Sequence, residues 1–107
     1  MVIVPDGITK IGQYAFSYCK NLSTVYLGSD VKTIDRQSFA YCGELADVYC
    51  YAEKVPTMGS DVFYESENQY ATLHVLENLI SEYNNNSTWK TFGSIEALEG
   101  EMPVIPD

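Results

Sequence analysis

Apolar residues recur along this chain in two sets that are separated by a constant offset of 23 residues. Each of seven apolar positions in the first set has an apolar counterpart in the second set. The matched pairs are Ile8 and Val31, Ile11 and Ile34, Phe16 and Phe39, Cys19 and Cys42, Leu22 and Leu45, Val25 and Val48, and Leu27 and Cys50. So many matches at one offset indicate that the chain is built from a repeated structural unit.

Each unit ends in a short apolar motif with the spacing L-x-x-L-x-L. The motif reads Leu22-x-x-Val25-x-Leu27 in the first unit and Leu45-x-x-Val48-x-Cys50 in the second. A period of about 20–29 residues with this motif is typical of a leucine-rich repeat, in which each repeat contributes one strand to a parallel sheet. Because side chains alternate along a strand, Val25 and Leu27 are expected to face the core. Thr24 and Tyr26 are then expected to face solvent.

The repeat continues toward the C-terminus in a weaker form. Val55, Met58 and Phe63 keep the spacing of the earlier units after one extra residue. The strand motif recurs as Tyr70-x-x-Leu73-x-Val75 and as Phe92-x-x-Ile95-x-Ala97. The pattern therefore predicts an α/β solenoid, a leucine-rich repeat with a short parallel sheet of about four strands, at 22–27, 45–50, 70–75 and 92–97.

Two further segments have helical spacing. In Ile11–Leu22 the apolar residues are more widely spaced than in a strand, and this segment is predicted to form the opposite wall as a near-helical turn. Apolar residues at i, i+3, i+4 and i+7, beginning at Leu76, predict a capping helix near 77–84. Together with Trp89 and Phe92, this helix is interpreted as a lid over the last coil. The predicted organisation is a repeat domain at 1–98, with repeats at about 4–27, 28–50 and 51–75, a cap at 76–98 and a flexible tail at 99–107.

The first repeat, VPDGITKIGQYAFSYCKNLSTV at 4–25, resembles the repeats of BspA-type leucine-rich repeat proteins. The segment 55–92 is similar to the C-terminal end of such arrays, so that the resemblance covers about nine-tenths of the chain. The second repeat departs from the pattern at Gly28, Asp35 and Ser38. Members of that family are bacterial surface or secreted proteins implicated in adhesion, and the resemblance implies an extracellular or cell-surface location and a host or matrix protein as partner.

Composition narrows the classes of partner. The chain has 107 residues, a net charge of −9 and 46% hydrophobic residues, which is enough for a single folded domain. Nucleic-acid binding requires clustered Lys and Arg, and an acidic chain of this kind is predicted to bind no nucleic acid. No apolar run approaches the roughly 20 residues that cross a bilayer, so no membrane insertion is expected.

The first repeat is expected to leave part of its core exposed at the N-terminal end. No signal peptide precedes the first repeat, which begins at full regularity without a capping segment, and we expect that an upstream region has been removed. The uncapped first coil around Ile3, Ile8 and Ile11 would then expose apolar side chains. This arrangement predicts self-association through the N-terminal coil.

Three cysteines are too few for a disulfide scaffold. Cys19 and Cys42 are equivalent in the repeat and should lie about 5 Å apart on adjacent coils, a separation that permits a disulfide. Buried free cysteines nevertheless serve commonly as small apolar side chains, and both thiols are predicted to be reduced and inaccessible. Cys50 takes the place of an inward Leu and is predicted to fill the core.

The residues offer little for catalysis, and no cofactor, metal site or enzyme activity is expected. His74 is the single histidine, and strand alternation places it on the face opposite the candidate thiol of Cys50. The glycines form no phosphate-binding motif, and the acidic pair Glu65 and Glu67 lies in a predicted loop. No Cys/His cluster with zinc spacing occurs.

Stacking the four strand motifs in register predicts a ligand-binding face on the exposed side of the sheet. One row contains Tyr26, Tyr49, His74 and Glu96, and the row beside it contains Thr24, Asp47, Thr72 and Ser94. Aromatic residues are enriched where proteins bind each other, although cross-strand aromatic pairs also stabilise sheets that bind nothing. The predicted function is a non-catalytic protein-binding or adhesion module. The alternatives are a structural terminal cap without a ligand, and a carbohydrate-binding module that uses Tyr26 and Tyr49.

Overall fold

The computed structural model describes residues 1–103. The chain winds into successive coils that place one strand of each coil in a five-stranded parallel sheet and a shorter strand on the opposite wall. The main sheet contains, in spatial order, β1 (Val2–Val4), β3 (Thr24–Leu27), β5 (Asp47–Cys50), β7 (Thr72–Val75) and β8 (Ser94–Ala97). The second sheet contains β2 (Lys10–Ile11), β4 (Thr33–Ile34) and β6 (Thr57–Met58). This architecture is the predicted leucine-rich repeat solenoid.

The recurring strand motif fixes the register of the main sheet, although the length of the connecting segments varies. Val25 pairs with Val48, and Val48 pairs with Leu73, so that equivalent positions of each motif lie side by side. All three side chains point inward and are at most 1% exposed. The predicted alternation is therefore confirmed, because each motif has one buried set and one outward set of side chains.

The number of strands differs from the prediction of about four. Strand β1 adds a fifth, pairing Val2 with Val25 and Val4 with Leu27. A strand of three residues contains no complete motif, and its position becomes evident only from its hydrogen bonds to β3.

The segment Ile11–Leu22 forms turns, closer to a helical turn than to a strand as expected, but it contains no regular helix. After β2 the backbone continues in turns, and its amides bond to the next coil: the N–H of Phe16 donates to the oxygen of Ser38 at 2.8 Å. A helix would use these donors internally. Tyr14 and Tyr18 also have positive φ angles, of 58° and 61°, which a right-handed helix cannot accommodate.

Three phenylalanines at equivalent positions form a ladder through the core. The ring centroids are 5.3 Å apart between Phe16 and Phe39, and 5.8 Å apart between Phe39 and Phe63. Phe39 is 1% exposed and Phe63 is also buried, but Phe16 is only half-buried. The equivalence of the three positions in the repeat predicts that all three are buried, and Phe16 is the exception. Within residues 1–103 no further ring stacks on the N-terminal side of Phe16, and this leaves one of its faces uncovered.

The last coil is covered by a lid, as the sequence predicts. A 3₁₀ turn at Glu77–Leu79 leads into helix α1 (Ile80–Asn84). Tyr83 and Trp89 are fully buried, and the indole N–H of Trp89 donates to the oxygen of Pro56 at 3.3 Å. Residues 99–103 contain no regular structure, and the rest of the predicted tail, 104–107, lies outside the described residues.

The cysteines are free thiols and differ in accessibility. Cys42 and Cys50 are buried, and burial raises the pKa of both thiols. The Cys42 thiol donates to the oxygen of Phe16 at 3.2 Å. Cys19 is half-buried, which corrects the expectation that it is inaccessible, because it lies on the same incompletely covered coil as Phe16.

Candidate functional site

The predicted outward residues form an aromatic row on the main sheet. The parallel register places Tyr26 beside Tyr49, Tyr49 beside His74, and His74 beside Glu96. The rings of Tyr26 and Tyr49 stack with centroids 4.7 Å apart and planes within 10°. The imidazole of His74 continues the stack at 4.2 Å from Tyr49. Three flat side chains are thus held parallel along the direction in which the coils succeed one another.

A polar row lies beside the aromatic row and anchors its histidine. The predicted residues Thr24, Asp47, Thr72 and Ser94 pair in register. Nε2 of His74 is 2.9 Å from Oδ1 of Asp47, and the Ser94 hydroxyl donates to that of Thr72 at 3.1 Å. The bond to Asp47 fixes the orientation of the imidazole against Tyr49.

The two rows are open to solvent to different degrees. Tyr26, Tyr49 and Thr24 are half-buried, and the His74 side chain is 18% exposed against 39% for Asp47. Glu96 and Ser94 are exposed at the C-terminal edge. The face therefore presents ring edges and hydroxyl groups in the middle and a carboxylate at one side.

The arrangement does not bring together the thiol and the imidazole that the sequence offered as catalytic candidates. The Cys50 thiol is fully buried on the inner side of the sheet, so the imidazole of His74 cannot reach it. Among residues 1–103, no group of three or more His, Cys, Asp or Glu side chains could hold a metal ion.

Sequence reasoning missed two members of the face. Ile3 lies beside Tyr26 and extends the aromatic row by one apolar residue on β1. Tyr51 is half-buried just after β5, where burial raises the pKa of its hydroxyl and the nearby hydroxyls of Tyr26 and Tyr49 raise it further. The signal for Tyr51 was present, because it is two residues beyond Tyr49 and strand alternation points both side chains to one face.

A known protein family matches most of the chain. Residues 1–92 match the family model described as BspA type leucine rich repeat region (6 copies). The chain belongs to the BspA-type leucine-rich repeat family. Its resemblance to this family is therefore confirmed, and so is the repeat architecture that the resemblance implies. No curated protein and no solved structure matches the chain significantly.

Membership in the BspA-type family places the aromatic row on a repeat-protein module. Domains of this type are typical of bacterial surface proteins, commonly serve in protein binding or adhesion, and are generally non-catalytic. In residues 1–103 no helix is long and apolar enough to cross a membrane.

Proposed function

We propose that this BspA-type chain is a non-catalytic protein-binding module of a bacterial cell-surface or secreted protein, and that it binds a host or matrix protein through the outward face of its main sheet. The stacked row of Tyr26, Tyr49 and His74 supports the proposal most directly. An isolated aromatic residue on a strand is ordinary, whereas three parallel rings in register form one continuous contact surface.

Preorganisation is the physical basis of the proposed binding. Immobilising a flexible side chain on binding costs about 0.5–1.5 kcal/mol. The rings of Tyr26 and Tyr49 already restrict each other, and Asp47 holds the His74 ring at a hydrogen-bond distance of 2.9 Å. Binding of a partner to this row therefore costs little side-chain entropy, because these three side chains are already held in place.

The size of the face sets the expected affinity. Five strands about 4.8 Å apart, of which β1 has three residues and the others four, span roughly 20 by 13 Å. A stable interface buries about 800 Å² on each partner, more than this patch offers alone. We therefore expect a weak single-site interaction that gains strength when several modules bind together.

Binding can be tested on an array of purified extracellular matrix proteins that includes collagens, laminin and fibronectin. The double variant Tyr26→Ala/Tyr49→Ala is expected to lose most of the binding that the natural chain shows. Its control is Tyr14→Ala, which removes an exposed ring that belongs to no strand of the main sheet. Equal binding by the natural chain and the sheet variant, or binding by neither, contradicts the proposal.

A structural role is the second candidate, and the lid over the last coil favours it. Trp89 packs against Tyr83 at 5.3 Å and lies 5.8 Å from Phe63, closing the C-terminal side of the core. In that case the chain would protect the end of a longer solenoid without binding a ligand. Absence of binding on the array, together with a cooperative gain in stability when repeats are fused before Met1, would support this role. Oligosaccharides on the same array test the carbohydrate alternative.

A further inference from the structure

A groove lined by tyrosines and glutamates runs along the coil corner that precedes the main sheet. Its volume is about 770 Å³, and its lining includes Tyr18, Tyr41, Tyr70, Glu44, Glu65 and Glu67. We refer to these six residues as the tyrosine groove. It is separate from the sheet face, because none of its six members belongs to strands β3, β5, β7 or β8.

The tyrosines of the groove lie at the surface and are not part of the buried core. Tyr18 is 63% exposed and Tyr70 is 81% exposed. Tyr18 stacks on Tyr41 with centroids 4.5 Å apart and planes within 10°, and Tyr64 meets the other side of Tyr41 edge-on at 5.5 Å. The rings thus hold one another in place while the outer face of Tyr18 stays open to solvent.

The backbone at this corner has an unusual conformation that recurs from coil to coil. Tyr18, Tyr41 and Glu65 occupy equivalent turn positions with φ angles of 61°, 58° and 54°. This left-handed region favours glycine, which has no Cβ to clash. The turns accept tyrosine because neighbouring coils bond to them: the N–H of Tyr18 donates to the oxygen of Ala40 at 2.9 Å, and that of Tyr41 to the oxygen of Tyr64 at 2.7 Å.

The charges around the rings are unbalanced toward the acidic side. Three carboxylates line the groove with a single ammonium group, that of Lys20. In the described part of the chain, Glu44 and Glu65 form neither an ion pair nor a side-chain hydrogen bond. Covering such carboxylates with a neutral ligand costs free energy, whereas a cation compensates their loss of water.

We propose that the tyrosine groove binds an extended basic segment of another protein, in which the guanidinium group of an arginine stacks on the tyrosine rings and donates hydrogen bonds to the glutamates. Arginine fits both features at once. Its planar cation stacks on aromatic faces, and its forked N–H donors match a carboxylate. The net charge of −9 on the whole chain favours the approach of the same kind of partner.

The probe for this proposal is a fluorescein-labelled peptide in which the dipeptide Gly-Arg is repeated four times. Its control is the same peptide with citrulline in place of each arginine. Citrulline keeps the size of the side chain and removes the charge. The arginine peptide is expected to bind and to shift backbone amide resonances around Tyr18, Tyr41 and Glu65. Equal binding of the citrulline peptide, or resonance shifts confined to other surfaces, overturns the proposal. If cello-oligosaccharides shift the amide resonances of the groove and the arginine peptide does not, the proposal is overturned in favour of a sugar site.

Two double variants test the groove itself. Glu44→Gln/Glu65→Gln is expected to weaken binding of the arginine peptide about tenfold or more, because charge-assisted hydrogen bonds are lost. The charge-matched control Glu77→Gln/Glu82→Gln lies on the lid and is expected to bind within about twofold of the natural chain. Equal losses in both variants would mean that only net charge matters, which contradicts a specific site.

Removing the rings gives an independent measurement. Tyr18→Gly/Tyr41→Gly places the residue that the positive φ angles favour, so the fold is expected to survive, as thermal unfolding can verify. This variant is also expected to lose about tenfold or more in affinity for the arginine peptide. A variant that folds and binds like the natural chain refutes the role of the rings. The sheet variant Tyr26→Ala/Tyr49→Ala is expected to bind the peptide normally, which separates failure of this proposal from failure of the proposed function.

Discussion

At the scale of single residues, equivalent positions in the repeat differ because their neighbours differ. Phe39 has a ring on either side in the ladder and is 1% exposed, whereas Phe16 is half-buried at the N-terminal end. The thiols follow the same rule, since Cys42 is fully covered and Cys19 is not. The same side chain is therefore buried to a different extent in different repeats, because the number of neighbouring coils that cover it differs.

Truncating the middle of the phenylalanine ladder is expected to be more damaging than truncating its end. Phe39→Ala should lower the free energy of unfolding by about 3–5 kcal/mol, because a buried ring is lost and a cavity remains. Phe16→Ala should lower the free energy of unfolding by clearly less, because that ring is already partly exposed to water. Urea unfolding of both variants measures the difference. Equal losses would show that Phe16 is as enclosed as Phe39.

Thiol accessibility is expected to separate the three cysteines. In the native protein a small alkylating reagent should modify Cys19 first, while Cys42 and Cys50 react only after unfolding. Burial also raises the pKa of the latter two, which lowers their reactive thiolate fraction. Mass spectrometry of digests taken over time provides the order of modification. Early labelling of Cys42 would contradict its burial.

At the scale of elements, the solenoid is held together by bonds that repeat from coil to coil. The turn at 5–7 and the turn at 28–30 interlock through side chains: Asp6 accepts the N–H of Ser29 at 2.8 Å, and Asp30 accepts the N–H of Gly7 at 2.7 Å. Gly28 is required between them, because a Cβ there would lie 2.7 Å from the carbonyl carbon of Pro5. The departure of the second repeat at Gly28 therefore has a local steric reason.

This interlock predicts a specific response to acid. The hydrogen bonds from the Ser29 backbone and hydroxyl lower the pKa of Asp6 below its ordinary value of 3.8. A carboxylate whose pKa is lower in the folded state stabilises the fold above its unfolded-state pKa, and this contribution disappears as the pH falls through the folded-state pKa. Asp6→Asn is therefore expected to reduce the loss of stability between neutral and acidic pH, as followed by thermal unfolding at each pH.

The control for the acid prediction is Glu53→Gln, which removes an exposed carboxylate that makes no hydrogen bond within residues 1–103. It should leave the acid dependence as in the natural chain. An Asp6→Asn variant with unchanged acid dependence would show that the interlock does not contribute to stability.

At the scale of the whole molecule, the two ends of the solenoid are unlike. The C-terminal end is covered by the aromatic lid, while β1 has a neighbouring strand only on its β3 side within the described residues. Met1 is 75% exposed and Ile8 is 42% exposed at that end. An unpaired strand edge beside exposed apolar side chains favours association with another chain.

We accordingly expect concentration-dependent self-association through the N-terminal coil, where Ile3, Ile8, Ile11 and Phe16 line an open cleft of about 290 Å³. Ile8→Lys should suppress association, because it places a charge in the apolar contact. Asn84→Lys adds the same charge at the opposite end and should have no such effect. Sedimentation velocity over a range of concentrations compares the variants. A strictly monomeric natural chain at high concentration would contradict the expectation.

The sequence by itself determined the register and the inner and outer faces of the main sheet. The recurring strand motif places Val25, Val48 and Leu73 side by side, and strand alternation then aligns Tyr26, Tyr49 and His74 on the outer face. These features follow from a short motif that recurs in each strand. A pattern of apolar positions therefore contains all the information they require.

Only the tertiary structure decided the features that depend on what lies across the coil. The strand at Val2–Val4, the open face of Phe16 and the exposure of Cys19 follow from which neighbours are present at the N-terminal edge. The tyrosine groove likewise arises where turns of successive coils meet, and it includes Tyr70, which takes the motif position of the buried Leu22 and Leu45 but is 81% exposed. A periodic sequence specifies one coil and its copies, whereas ends and corners are set by contacts between coils that no single repeat contains.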